Sequence, residues 1–217
     1  MIIDIHTHHT HTDSLELSIR NIYPREINQE SLTGYYSTGI HPWHLSRAEK
    51  DMELIRNNIN DPKLLAIGEC GLDKLSQYPM QTQEHILIQQ VELARENTLP
   101  LIIHLVKAQD LLISIKRDHP TGQAWIIHGF RGKPEQAKQL LSHGFLLSFG
   151  HLFNSRSALL AYQEHSMFIE TDNDTKHSIS SNYQMIASSL NISPTTLEER
   201  CYNTFLNTFT KVKSLSL

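Results

Sequence analysis

The chain has 217 residues, 39% hydrophobic and 19% charged, which suits one globular domain spanning 1–217 with a sizeable core. A net charge of -4 excludes a bulk basic surface for coating nucleic acid or an acidic membrane, so an anionic substrate must be held by local charge such as a bound metal. Two cysteines, Cys70 and Cys201, exclude a disulfide framework, and neither a leader-like apolar segment nor an 18-residue apolar run is present, so a soluble cytoplasmic protein is expected.

In chain order, Ile2-Ile3-Asp4-Ile5-His6-Thr7-His8 reads as a strand. Strand side chains alternate, so His6 and His8 project to one side. His9-Thr10-His11-Thr12-Asp13 is a polar turn, and Leu15 to Ile22 alternates as a second strand. The gap between them is too short for a helix, so the first crossover is reduced. Gly34 to His41 is the next strand, closed by Pro42-Trp43-His44. Ser46 to Asn60 reads as a helix, with Ser46 as cap, Glu49 at capping-box distance and Met52, Ile55 and Ile59 as the buried stripe.

Leu64 to Gly68 is a buried-strand pattern running into Glu69. Gln81 to Asn97 is the clearest helix, its inner face marked by Ile86, Leu87, Gln90, Leu93 and Ala94. Leu101-Ile102-Ile103 leads to His104, and Ala124 to Ile127 leads to His128, with a helix over Ala108 to Arg117 between them. Pro134 opens a helix that stops at Gly144. Phe145 to Phe149 is a strand, Ser155 to His165 a helix, and Met167 to Thr171 a strand ending at Asp172. Helices over Ser180 to Leu190 and Pro194 to Phe209 complete the chain, and Leu197, Cys201, Phe205 and Phe209 give the last one a docking face.

Eight strands, mostly alternating with helices, predict a compact α/β TIM (β/α)8 barrel; a doubly wound open sheet is the alternative. The barrel is preferred because a barrel mouth gathers the polar residues that end so many strands. His6, His8, Glu69, His104, His128 and Asp172 are those residues. Four imidazoles and two carboxylates need a cation to organise them, and six ligands suffice for two metals sharing a carboxylate. One or two divalent ions are expected, with Zn, Mn, Mg and Ni not distinguished.

Several blocks together resemble the TatD-like metal-dependent hydrolases. They are Ile5-His6-Thr7-His8, Gly39-Ile40-His41-Pro42, Ala66 to Asp73, Pro100 to His104, His128 to Gly132 and Glu170-Thr171-Asp172. The blocks follow the family's order across essentially the whole chain. The resemblance implies an amidohydrolase-type barrel in which His6 and His8 bind one metal and His104 and His128 another. Glu69 would lie between them, and Asp172 would bind metal and the attacking water. It also implies a deoxyribonuclease acting on DNA phosphodiesters in the 3′ exonuclease manner, with a metal-activated water and with Asp172 and Glu69 as the catalytic carboxylates.

His41 and His44, flanking Trp43, and Arg131 are candidate substrate contacts. Three departures stand out: the short first crossover, Leu105-Val106-Lys107 where the family has an Arg, and Asn173 to His177 in place of a proline-containing segment. These rim changes keep alive a phosphatase or an amidohydrolase acting on a small ester or amide, while a non-catalytic metal-binding partner protein is disfavoured because every ligand is present. DNA is the expected partner; no membrane and no stable protein partner are expected, and the chain is read as a monomer or weak oligomer.

Overall fold

The computed structural model describes residues 1–10, 16–27 and 33–213. His11, Thr12, Asp13 and Leu15 of the expected turn and second strand lie outside the described residues. The strands are β1 (Ile2–Thr7), β2 (Glu16–Asn21), β3 (Tyr35–Thr38), β4 (Leu64–Asp73), β5 (Leu101–Val106), β6 (Trp125–Ile127), β7 (Phe145–Phe149) and β8 (Met167–Ile169), and the sheet order follows the chain order. The α-helices are α1 (Ala48–Asn58), α2 (Met80–Glu96), α3 (Gln109–Asp118), α4 (Pro134–Ser142), α5 (Ser155–Gln163), α6 (Ile179–Leu190), α7 (Pro194–Thr208) and the short α8 (Thr210–Lys213). Among the described residues no helix is long and apolar enough to cross a membrane.

The chain divides into two compact units, Met1–Arg20 with Ile126–Leu217, and Asn21–Trp125. In the first, β1 pairs with β2 in parallel although β1 ends at Thr7 and β2 begins at Glu16. That link is shorter than the dozen or more residues a parallel connection ordinarily needs, and it is the reduced crossover expected from the sequence. β7 and β8 also pair in parallel, and the segment after β8 returns to β1 through a parallel bridge of Thr7 with Asp172. The core here is built from the buried faces of Ile3, Ile5, Leu147, Phe149, Phe168, Leu197, Cys201 and Phe205. The four-residue recurrence of Leu197, Cys201, Phe205 and Phe209 is thus the docking face of α7, and all four are buried.

In the second unit β3, β4 and β5 pair in parallel. β4 is buried along its whole length, the pattern of a strand covered on both sides. Its glycines let the neighbouring backbone close in: a Cβ at Gly71 would lie 2.0 Å from the His104 carbonyl oxygen of β5. The expected inner face of α2 is the observed one, since Ile86, Leu87, Gln90, Leu93 and Ala94 are all buried. Two of its glutamines act on loops. Gln90 Oε1 accepts from the Ile40 amide at 2.7 Å and Nε2 donates to the Ile40 carbonyl at 3.2 Å. Gln83 does the same at Asp73, accepting from its amide at 2.8 Å and donating to its carbonyl at 3.0 Å.

The expected start of the first long helix at Ser46 is corrected. Leu45–Arg47 forms a 3-10 turn, so α1 begins at Ala48 with Arg47 at its N-cap and no side-chain cap bond. Leu45 is buried, and fixing it in that turn moves the helix start past Ser46.

Candidate metal centre

In the first unit, β1 delivers His6 and His8 to one side, as strand alternation requires, with ring centroids 5.2 Å apart in a T-shaped arrangement. His6 is fully buried, and its ring lies 4.3 Å from that of His128. Asp172 faces the same pair: its Oδ1 is 3.7 Å from His6 Nε2 and 3.5 Å from His8 Nε2. Its backbone is clamped from both directions. The Asp172 amide donates to the His6 carbonyl at 2.9 Å, and the His8 amide donates to the Asp172 carbonyl at 3.0 Å. Asp172 sits at φ 52°, the left-handed region that L residues enter only when surroundings hold them there, and such positions cluster at functional sites.

Two carboxylates that sequence reasoning left without a role support these ligands. Glu170 is fully buried; its Oε1 accepts from the Gly129 amide at 2.8 Å and lies 3.3 Å from His128 Nδ1. Its Oε2 has no hydrogen-bond partner among the described residues. A buried carboxylate oxygen left without a donor is costly, and a cation satisfies it. His128, Glu170 and Asp172 indeed offer ligand atoms within 4.8 Å of one another, as do His6, His8 and Asp172. The donor chemistry of these residues therefore fits a divalent metal. Asp4, also buried, accepts from the Thr171 amide at 3.1 Å and the Thr171 hydroxyl at 2.6 Å. Burial, with Glu170 adding repulsion, pushes its carboxyl up to about 8.

In the second unit, Glu69 and His104 come from adjacent strands and meet His41 from the loop after β3. Glu69 Oε1 is 2.9 Å from His104 Nδ1 and 3.1 Å from His41 Nε2. The other nitrogen of His104 is 3.0 Å from Asp73 Oδ2, which also accepts from Trp43 Nε1 at 2.7 Å. Asp73 is held below the ordinary carboxylate range: although burial opposes this, the Leu75 amide, His104 and Trp43 all donate to it. The Glu69 amide donates to Asn21 Oδ1 at 2.7 Å, which anchors the backbone that carries the carboxylate. His41, Glu69 and His104 again form a group with ligand atoms within 4.8 Å. His41, expected as a substrate contact, thus stands among the candidate ligands.

His44 and Trp43 line a neighbouring cavity of about 230 Å³ with Tyr23, Arg25 and Arg47. Partial burial and the nearby His41 lower the His44 pKa. In the first unit Arg131 lines a cavity of about 210 Å³ that Asp172 and Glu170 also line. Asp73 and Glu170 were both inside the blocks noted in the sequence. Their signal was a second acidic residue close to each expected ligand.

The profile of the family described as TatD related DNase matches residues 5–210. This chain belongs to that family. The TatD match agrees with solved structures. A TatD homologue from Escherichia coli K12, YjjV, superposes with a TM-score of 0.82 at 19% identity, covering 96% of this chain and 98% of that one. That likeness establishes the TIM barrel fold. The curated relatives of this TatD-family chain include the uncharacterized metal-dependent hydrolase YabD of Bacillus subtilis, 34% identical over 54% of this chain and 47% of its own length. The 3'-5' ssDNA/RNA exonuclease TatD of Erwinia tasmaniensis is 30% identical over 51% of this chain and 44% of its own. The chain spans about half the length of the curated relatives it matches.

Proposed function

We propose that this chain is a metal-dependent hydrolase that cleaves DNA phosphodiester bonds from the 3′ end. The carrying observation is Asp172, a carboxylate held in left-handed backbone and grouped with ligand atoms of His6 and His8 on one side and His128 and Glu170 on the other. Membership in the TatD family and the exonuclease relative support the same reading. His6, His8, His128 and Asp172 would hold one cation; His104 and Glu69, with His41 beside them, would hold a second. Their nitrogen-and-oxygen donor sets favour Zn, Mn or Ni over Mg.

When bound, such cations lower the pKa of water and offset charge on the phosphate oxygens. The chain's own residues do the rest. Asp172 takes the proton of the attacking water as its oxygen bonds to phosphorus, and the P–O3′ bond breaks with a proton passing to the leaving 3′ oxygen. Glu170 fixes the His128 ring, and Asp73 fixes His104, so both imidazoles keep one orientation. Arg131, on the rim of the Asp172 cavity, meets a phosphate oxygen.

A second reading keeps the centre and changes the substrate to a phosphomonoester or a small ester or amide. The cavity beside Asp172, about 210 Å³, favours it, being smaller than the roughly 300–1,000 Å³ of most ligand sites. The two are separated by incubating the protein with a 5′-labelled single-stranded oligonucleotide and Mn, Mg or Zn, beside chelator and Asp172→Asn controls. A ladder shortening from the 3′ end, absent from both controls, is the expected result. Metal-loaded protein that leaves the oligonucleotide intact but hydrolyses a small ester overturns the nuclease reading in favour of the second.

A further inference from the structure

The segment after Asp172, where the family's proline-containing stretch is replaced, carries a second set of chemistry-bearing side chains that hydrolysis does not use. The Asp174 amide donates to the Thr171 carbonyl at 3.0 Å. Its Oδ1 accepts from the Lys176 amide at 2.8 Å and the His177 amide at 3.4 Å, which fixes the carboxylate plane. Oδ2 is then left facing two imidazoles, His177 Nδ1 at 2.7 Å and His151 Nδ1 at 2.6 Å. His151 arrives from elsewhere, just beyond the end of β7. The two rings stack with centroids 4.7 Å apart and an interplanar angle of 14°.

The arrangement brings two imidazole nitrogens and one carboxylate oxygen to one point, all within 4.8 Å of one another. A divalent ion accepts the lone pairs of two neutral imidazoles and the carboxylate oxygen together. Two histidines with one carboxylate are a donor set for zinc-class ions, and three protein ligands leave a position open. The side chains of His151 and His177 are 29% and 38% exposed, so solvent reaches the set. Ligands about 2.0–2.1 Å from zinc lie roughly 3.3 Å apart, an opening that rotation of two half-exposed rings supplies.

We propose that His151, Asp174 and His177 form an accessory site for a divalent transition cation, separate from the hydrolytic ligands. His151 and Asp174 line the same cavity as Asp172 and Arg131, so an ion held here adds positive charge where an anionic group of a substrate would approach.

The test is stoichiometry. The purified full chain is stripped with chelator and titrated with Zn²⁺ against a chromophoric competitor. The His151→Ala/His177→Ala double variant and His177→Ala alone run in parallel, each checked by circular dichroism. The wild type takes up one equivalent more than either variant, and the remaining steps are unchanged. Loading with Co²⁺ gives a second readout, a visible absorption component present in the wild type and missing from both variants. The extra equivalent persists in His8→Asn, which alters the hydrolytic ligands, so failure there leaves this site testable by itself. Equal Zn²⁺ stoichiometry and identical Co²⁺ spectra in wild type and double variant overturn the proposal.

Discussion

The two ligand groups hold their imidazoles by different means. In the first unit the Asp172 carboxylate stands 3.5 and 3.7 Å from the imidazole nitrogens of His8 and His6, beyond good hydrogen-bond distance. It is held there by backbone bonds to β1 rather than by the rings. In the second unit every contact is close: His104 has a carboxylate oxygen at 2.9 Å on one nitrogen and 3.0 Å on the other, and Glu69 reaches His41 as well at 3.1 Å. The first group is spaced so that one ion could touch several of its donors, and Glu170 Oε2 has no hydrogen-bond donor among the described residues. In the second, internal hydrogen bonds already occupy the donors, so an entering cation has to displace them. Similar residue types therefore predict unequal consequences when each group is disturbed.

The largest effect is expected at Asp172. Asp172→Asn keeps the backbone clamp but removes the proton acceptor, and turnover should fall roughly thousandfold with little change in thermal stability. If Asp73→Asn costs as much turnover, the contrast between the groups is wrong. Gly71→Ala tests the second group through its scaffold, because the added carbon meets the His104 carbonyl at 2.0 Å. The strand carrying His104 must shift, and a loss of about 3 kcal/mol, roughly 6–12 °C in melting temperature, is expected by calorimetry.

Next come the supporting carboxylates. Glu170→Gln and Asp73→Asn should each weaken metal binding about 10–100-fold, measured by competition with a chelator. The contrast is sharpened if Glu170→Gln costs more, since its Oε2 has no partner among the described residues while the bonds of Asp73 to Leu75, His104 and Trp43 are already made. The smallest effect is expected for Gln90→Leu, which strips two side-chain bonds from Ile40 and should cost about 1–3 kcal/mol in a denaturant titration.

The helices were legible where burial is periodic. All five residues expected on the inner face of α2 are buried, with Gln83 and Val91 beside them, because a 3.6-residue stripe is a local property of the sequence. Strand limits were not, since partners elsewhere in the fold decide them: β8 stops at Ile169 and β3 at Thr38, short of the expected Thr171 and His41, whereas β4 continues to Asp73. The start of α1 was displaced because the packing of Leu45 outweighed the capping preference of Ser46. At the site, the candidate ligands stand where apolar runs end, and the structure groups His6, His8 and Asp172 in one unit and Glu69 and His104 in the other. The roles of Glu170, Asp73 and His41 were not readable, because each is defined by the ring or carboxylate it faces. The His151, Asp174 and His177 set was hidden for the same reason, as His151 comes from a different strand end.

The paired glutamines of α2 have a consequence for dynamics. Gln83 and Gln90 lie two turns apart on one side of a rigid rod, and each grips both the amide and the carbonyl of a single residue in the way a neighbouring strand would. One of those residues precedes His41 in the chain, and the other is the carboxylate that steadies His104. Loosening of this helix from the sheet would therefore release both positions in the same event. The Ile40 and Asp73 amide protons become a matched pair of gauges, whose hydrogen-exchange rates should rise and fall together as the helix lifts and reseats.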